Sequence, residues 1–317
     1  MNFLRASTIS FVQRKKDECK SILIYITVYL RRSNLGNQMD HLGGEYMAFK
    51  MLFLDIDGTL LDSNHKISAE TKHSIQSLPK DFPVVLVSAR MPKGITFLYK
   101  ELGLKTPIIC YSGALVIDIA NDGSYQPILN KTLSLQQIEN IYQQAKKRNV
   151  HIGFYKDDEW YVEDLDDWAI QEKDIAKTSP VIKNFQTVFH QPGHTNNGAN
   201  KVLCMGNADE IESLEFALKN TCREYLTIYR SKPEYLEIMH HAVTKTSAIQ
   251  FLLESFHIQK NDIIAIGDNF NDIDMIQYAG LGVAMGNAPE QVKQIANEIT
   301  LSNDDNGVAW IIQKYLL

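Results

Sequence analysis

From Met51 onward, short apolar runs rich in β-branched residues alternate with segments of helical period, and this alternation constrains the chain more than any other feature it carries. Residues 51–55 (MLFLD), 83–88 (PVVLVS), 107–110 (PIIC), 262–268 (DIIAIGD) and 281–285 (LGVAM) read as buried strands. Strands of this kind separated by helical segments are the pattern of βαβ units and a parallel sheet. The intervening helices have recognisable ends. Ser68 is placed to cap a segment running through Leu78, and Pro92 opens another that Gly103 stops. The fold class expected is α/β.

The rhythm breaks in the middle of the chain. Residues 133–237 read as a helix over 134–148, two short strands at 151–155 and 160–162, and a strand-helix-strand set over 201–230. This resembles an α+β insertion, which predicts a discontinuous core domain, 47–132 plus 238–317, with 133–237 as a second domain. The Gly/Asn-rich stretch 190–200 is expected to be an exposed loop.

Residues 1–46 stand apart in charge. They carry seven Lys and Arg against four Asp and Glu, whereas the remainder carries 25 against 34. They also lack a sustained period. Gly43-Gly44-Glu45 can be encoded as GGAGGTGAA, a bacterial ribosome-binding sequence, with Tyr46 as spacer before Met47. The expectation is therefore that translation starts at Met47 and that 1–46 is an extension outside the fold. Its apolar stretch, residues 21–30, is about half the length that spans a bilayer. Arg31 and Arg32 follow at once with no small-residue cleavage site, so neither a membrane anchor nor secretion is expected. A formal net charge of -6 gives no global basic surface for nucleic acid. Cys19, Cys110, Cys204 and Cys222 are far apart with no CxxC spacing, which fits reduced thiols in a cytoplasmic protein.

The chemistry-bearing residues sit where the strands end. The first strand runs into Asp55-Ile56-Asp57-Gly58-Thr59. Carboxylates two apart on an extended segment share a face, so one could stay ionised while the other handles a proton. An acidic turn is the plain alternative; a calcium loop is excluded, because Leu60 and Lys66 stand where its glycine and glutamate belong. The second strand ends in Ser88, a helix cap or a phosphate ligand. A later strand ends in Gly267-Asp268-Asn269-Phe270-Asn271-Asp272, whose carboxylates are expected to converge and whose hard oxygens suit magnesium. Lys245 opens a helical segment and could neutralise a phosphate beside an aspartate.

Taken in order, Asp55 to Thr59, Ser88, Lys245 and Gly267 to Asp272 resemble the four motifs of the haloacid dehalogenase superfamily of phosphatases. The long insertion after Tyr111-Ser112-Gly113-Ala114 is similar to the Cof-type branch with a large α/β cap, and the resemblance covers 47–317. One departure is Ser112, where that branch usually has Asn. The resemblance implies a Rossmann-like core with an inserted cap and hydrolysis of a small phosphorylated metabolite. Asp55 would be the nucleophile and Asp57 the acid and base, with Ser88 and Lys245 holding the transferring group. Magnesium would be held by Asp55, the backbone carbonyl of Asp57, Asp268 and Asp272. Thr59, Ser88, Lys245 and Asn271 would meet the substrate. Family precedent offers sugar phosphates, nucleotides, flavin mononucleotide and pyridoxal phosphate. The rival functions are phosphoryl transfer to another hydroxyl, as in a mutase, and a regulator switched by phosphorylation of Asp55. The aromatics of 155–168 read as core packing, and His190 and His194 do not read as metal ligands.

Overall fold

The computed structural model describes residues 49–120, 122–189, 198–222 and 224–317. The expectations for 1–46, for Cys19, for His190 and His194 and for the loop over 190–197 lie outside the described residues, and residues 198–200, expected with that loop to be exposed, are buried. In chain order the first strands are β1 (Met51–Asp55), β2 (Val84–Val87), β3 (Ile108–Cys110), β4 (Leu115–Ile119) and β5 (Tyr125–Asn130). The middle of the chain supplies β6 (His151–Lys156), β7 (Glu159–Val162), β8 (Val181–Ile182), β9 (Lys201–Met205), β10 (Leu226–Lys232) and β11 (Tyr235–His240). The last are β12 (Ile263–Gly267), β13 (Leu281–Ala284) and β14 (Glu298–Ile299).

One sheet has the order β14-β13-β12-β1-β2-β3-β4-β5. Its pairs are parallel from β14 to β3, and β4 and β5 add antiparallel strands at one edge. The sheet is buried on both faces because its strands alternate apolar side chains up and down. Leu52 and Leu54 enter one core cluster while Met51 and Phe53 enter the other. The first cluster packs under helices α1 (Ala69–Ser77) and α2 (Lys93–Leu102), and the second under helices that follow the insertion. Each fully buried Leu or Ile contributes about 1.5–3 kcal/mol, so these two layers set the sheet's register. Ser68 caps α1 by accepting from the Thr71 amide, and Gly103 ends α2 in the left-handed region at φ 71.

The insertion forms a second sheet, β10-β11-β9-β6-β7-β8, antiparallel except for β7 with β8. One face lies under helices α3 (Leu135–Lys146) and α4 (Ala208–Cys222), with Ile138, Ile141, Ile211 and Leu214 in the shared core. Ser134 and Gln137 start α3 with a reciprocal capping box, and Leu133 bridges to Ala199 at the point where the chain enters this sheet. The boundary expected between 237 and 238 needs correction: it falls inside β11, which stays paired with β9 and β10 through His240. The other face of this sheet turns toward the large one. There Trp160 is fully buried and stacks on Tyr155, which is core packing as expected.

After β11 the chain returns through helices α5 (Lys245–Phe256), α6 (Ile273–Tyr278) and α7 (Gly307–Tyr315). β1 lies between β12 and β2, so sheet order changes direction between β1 and β12. A crevice at the carboxyl ends of strands flanking such a switch point is where open α/β sheets bind ligands.

Candidate active site

The switch point brings four of the expected residues together. β1 delivers Asp55, and α5 begins at Lys245 because Thr244 caps it, accepting from the Ser247 amide. Lys245 donates to Asp55 Oδ1 at 2.5 Å and to Asp272 Oδ1 at 2.6 Å. A cation in a helix's first turn opposes the helix dipole, and burial makes it costlier still; the two carboxylates offset both. Asp272 is fully buried at the start of α6, where its Oδ2 accepts from the backbone amides of Asp268 and Asn269. That turn folds the second acidic motif back on itself. Asp268 is held in turn by Thr59 Oγ1, which donates to its Oδ1 at 3.0 Å.

Close approach of the two motifs depends on Gly58. It turns at φ +81, and a Cβ there would stand 2.3 Å from Asp268 Oδ2. Any side chain at this position would push β12's carboxylate away from β1's.

Asp55, Asp268 and Asp272 each offer an oxygen, and all three lie within 4.8 Å of one another. Three carboxylates face one ammonium, an excess of negative charge in a buried place. Burial, and then the Asp272 charge, hold the Asp55 carboxyl well above the usual carboxylate range; the same two causes push Asp268 up to about 6. Among the same groups Asp272, then Asp55, hold Lys245 above its ordinary value, against the effect of burial. Clustered hard oxygens with surplus negative charge fit a divalent cation, which would relieve that repulsion.

The remaining expected residues are placed differently. Asp57 lies beyond the end of β1, which stops at Asp55, so the extended geometry that would align the two carboxylates does not reach it. Its half-exposed carboxylate instead pairs in bidentate fashion with Arg90, Nε donating to Oδ2 at 2.8 Å and Nη2 to Oδ1 at 2.5 Å. Thr59 is buried and its hydroxyl donates to Asp268, so it orients an aspartate. Ser88 is buried at the end of β2, where its Oγ accepts from the Arg90 amide and its carbonyl from Ser112. Asn271 sits partly exposed in the turn just before Asp272.

Arg90 was the group missed. Its sequence signal is a guanidinium two residues beyond Ser88, in the segment that follows β2 as Asp57 follows β1. Tyr111 and Ser112 were also not expected to adopt positive φ, yet they form a left-handed turn with Gly113. A Cβ on Gly113 would strike the Thr244 carbonyl at 2.2 Å, so this turn packs directly on the cap of the helix carrying Lys245.

The insertion is docked over this edge. Asp158, in the β6–β7 turn, accepts from the Lys93 amide at 2.7 Å, and Tyr111 donates its hydroxyl to the Asp157 carbonyl at 2.7 Å. Lys201 Nζ donates to the Ala89 carbonyl at 3.2 Å, beside Ser88.

Comparison with known proteins gives a consistent result. The sequence pattern of the haloacid dehalogenase-like hydrolases matches residues 52–312. A Haemophilus influenzae protein, assigned provisionally by its name to the phosphatases, is 36% identical over 271 residues, covering 84% of this chain and 98% of that one. The 5-amino-6-(5-phospho-D-ribitylamino)uracil phosphatase of Bacillus subtilis is 28% identical over 271 residues, covering 84% and 97%. A haloacid dehalogenase-like hydrolase of Bacteroides thetaiotaomicron superposes with a TM-score of 0.74 at 30% identity, over 84% of this chain and 99% of that one.

Proposed function

The chain belongs to the haloacid dehalogenase-like hydrolases and is an enzyme of the phosphatase type, and from that premise we propose a magnesium-dependent phosphomonoesterase that works through an aspartyl phosphate on Asp55. The observation that carries the proposal is the buried meeting of Asp55, Asp268, Asp272 and Lys245 at the switch point of the sheet. Asp55, Asp268 and Asp272, with the backbone carbonyl of Asp57, would hold the ion, which when bound supplies charge neutralisation for the carboxylates and the phosphoryl oxygens.

The rest is work for side chains. Asp55 attacks phosphorus opposite the departing alcohol, so one P–O bond forms to the aspartate as the ester P–O bond breaks. Lys245 Nζ, Ser88 Oγ and Asn271 hold the phosphoryl oxygens during transfer. Asp57 gives the alcohol oxygen a proton, then takes one from the water that attacks the aspartyl phosphate and frees Asp55. To do so it must turn at least one oxygen away from Arg90, since the bidentate pair engages both. Thr59 keeps Asp268 in place throughout. Residues 133–240 act as a cap whose closure excludes bulk water and selects the substrate, a small phosphorylated metabolite of the sugar phosphate, nucleotide, flavin mononucleotide or pyridoxal phosphate classes.

The test is phosphate release from a panel of such esters, with and without magnesium, by the full chain and its Asp55→Asn variant. Release that needs the ion and disappears in the variant is expected. Transfer of the phosphoryl group to an added alcohol, with little free phosphate, would favour a mutase or transferase.

A further inference from the structure

The inserted sheet turns one face toward the large sheet, and most of that face is apolar. Leu203 and Met205 on β9, Met239 on β11, Tyr155 on β6 and Trp160 on β7 all belong to the cluster shared with the core. Among the polar side chains that interrupt it are Lys201, Glu237 and Tyr229. In the register of the sheet Leu203 pairs with Glu237 and Glu237 with Tyr229. Lys201 precedes Leu203 by two residues, so it shares their face. The charged pair is buried: Lys201 is 8% and Glu237 9% exposed, with Nζ donating to Glu237 Oε2 at 3.2 Å. The ammonium also lies 5.0 Å from the centre of the Tyr155 ring.

These side chains lie next to the catalytic edge. Lys201 reaches the Ala89 carbonyl, one residue beyond Ser88. Tyr229 is half-buried and lies opposite Glu237 across the β10–β11 pair, on the same face. Helix residues 167–176 cover a neighbouring part of the same face: Tyr155 donates to Glu172 Oε1 and Gln171 Nε2 donates to the Tyr235 hydroxyl oxygen. Tyr155 and Tyr235 therefore already have polar partners on the insertion.

We propose that Lys201, Glu237 and Tyr229 form the subsite for the alcohol half of the substrate, and that this subsite takes an uncharged, hydroxyl-bearing group. The inference rests on the phosphatase reading above. A buried ion pair of this sort is weak evidence for stability, because an apolar replacement would pack without its desolvation cost, and this one reaches the chain one residue beyond Ser88. Its chemistry selects the ligand. An ammonium donates, a carboxylate accepts and a phenol does either, which is what a group of hydroxyls requires. A second anionic group would meet Glu237, whose partner lysine is already engaged, and is disfavoured.

The test uses the full chain with magnesium and three kinds of probe: p-nitrophenyl phosphate, which has no hydroxyl; hexose, pentose and glycerol monophosphates; and a hexose bisphosphate. The unmodified protein is expected to favour at least one hydroxylated monophosphate over both other kinds in kcat/KM. Glu237→Gln, which keeps the shape of the side chain, and Tyr229→Phe, which removes one hydroxyl, should each raise KM for that ester by about tenfold or more. Both should lose less kcat/KM on p-nitrophenyl phosphate than on that ester, and Glu237→Gln should narrow the gap to the bisphosphate. Equal losses on both monoester types would overturn the subsite and reveal a structural strut. So would unchanged KM values, or a preference for the bisphosphate or for p-nitrophenyl phosphate in the unmodified protein. If that protein hydrolyses no probe at all, the phosphatase reading fails and the subsite with it; turnover of p-nitrophenyl phosphate alone separates the two failures.

Discussion

Replacing Lys245 by Met should weaken the fold in a way that magnesium repairs. The Lys245 side chain is 1% exposed and is the cation bonded to Asp55 and Asp272, with Asp268 adjoining them. Met keeps much of the volume and removes the charge, so three carboxylates are left to repel one another out of water. Breaking a buried pair in this way costs about 3–5 kcal/mol. For a chain of this size that corresponds to a fall in Tm of about 6–20 °C, at roughly 2–4 °C per kcal/mol. The assay is thermal unfolding in chelator and again in excess magnesium. Saturation at about a hundred times Kd adds roughly 2.7 kcal/mol, and the variant should gain more than the wild type because one repelling cation is gone. The sign of the pH dependence follows from the same charges. Asp55 and Asp268 have folded-state values above their unfolded ones, so folding takes up protons and stability falls as pH rises through that range, from near 4 to about 6 for Asp268. Losing Lys245 moves the folded values higher, so the deficit in chelator should be smallest in acid and largest above about pH 6. A variant with wild-type Tm in chelator and an unchanged response to magnesium would refute the reasoning.

Gly58→Ala should lose about 1–2 kcal/mol for an alanine in the left-handed region, and it should also shift Asp268, raising the magnesium concentration needed for half-maximal activity. Superimposable magnesium titrations would show that the close approach of the two strand ends is not needed. Arg90→Gln should change stability by no more than about 1 kcal/mol, because its pair with Asp57 is exposed to water; chemical denaturation giving a much larger loss would mean the guanidinium supports the fold. Asp158→Ala removes the acceptor of the Lys93 amide and should cost about 1 kcal/mol or less while speeding hydrogen exchange in the first turn of α2 and in the β6–β7 turn. Unchanged exchange at both places would mean the insertion docks by other contacts.

The parts of this structure that could be read from sequence are those set by local chemistry. MLFLD and DIIAIGD are apolar at nearly every position before their terminal aspartates, so their burial and the location of the acids at strand ends both followed. The Ser68 cap and the Gly103 stop followed for the same reason. What could not be read depended on geometry between distant segments. Strands β4 and β5 pair antiparallel at the sheet edge, and β5 is largely exposed, so its residues lack the apolar run that marked the others. Extended spacing suggested a common face for Asp55 and Asp57, but the strand ends at the first, and Arg90 on a neighbouring element claims the second. The end of the insertion was misjudged at Glu237 because a buried glutamate inside a strand looks like a loop residue until its lysine partner, 36 residues earlier, is seen. Thr59 belonged to an expected motif, but its bond to Asp268 spans 209 residues.

The central claim is that phosphate passes through a covalent bond to Asp55. It is tested most directly by acid-quenching the enzyme during turnover with magnesium and mapping phosphorylated peptides by mass spectrometry. The result expected is a hydroxylamine-sensitive phosphoryl group on the peptide carrying Asp55, absent from Asp55→Asn along with phosphate release. Phosphate released at the normal rate by Asp55→Asn, or a phosphoryl group that maps to another residue, would contradict the account.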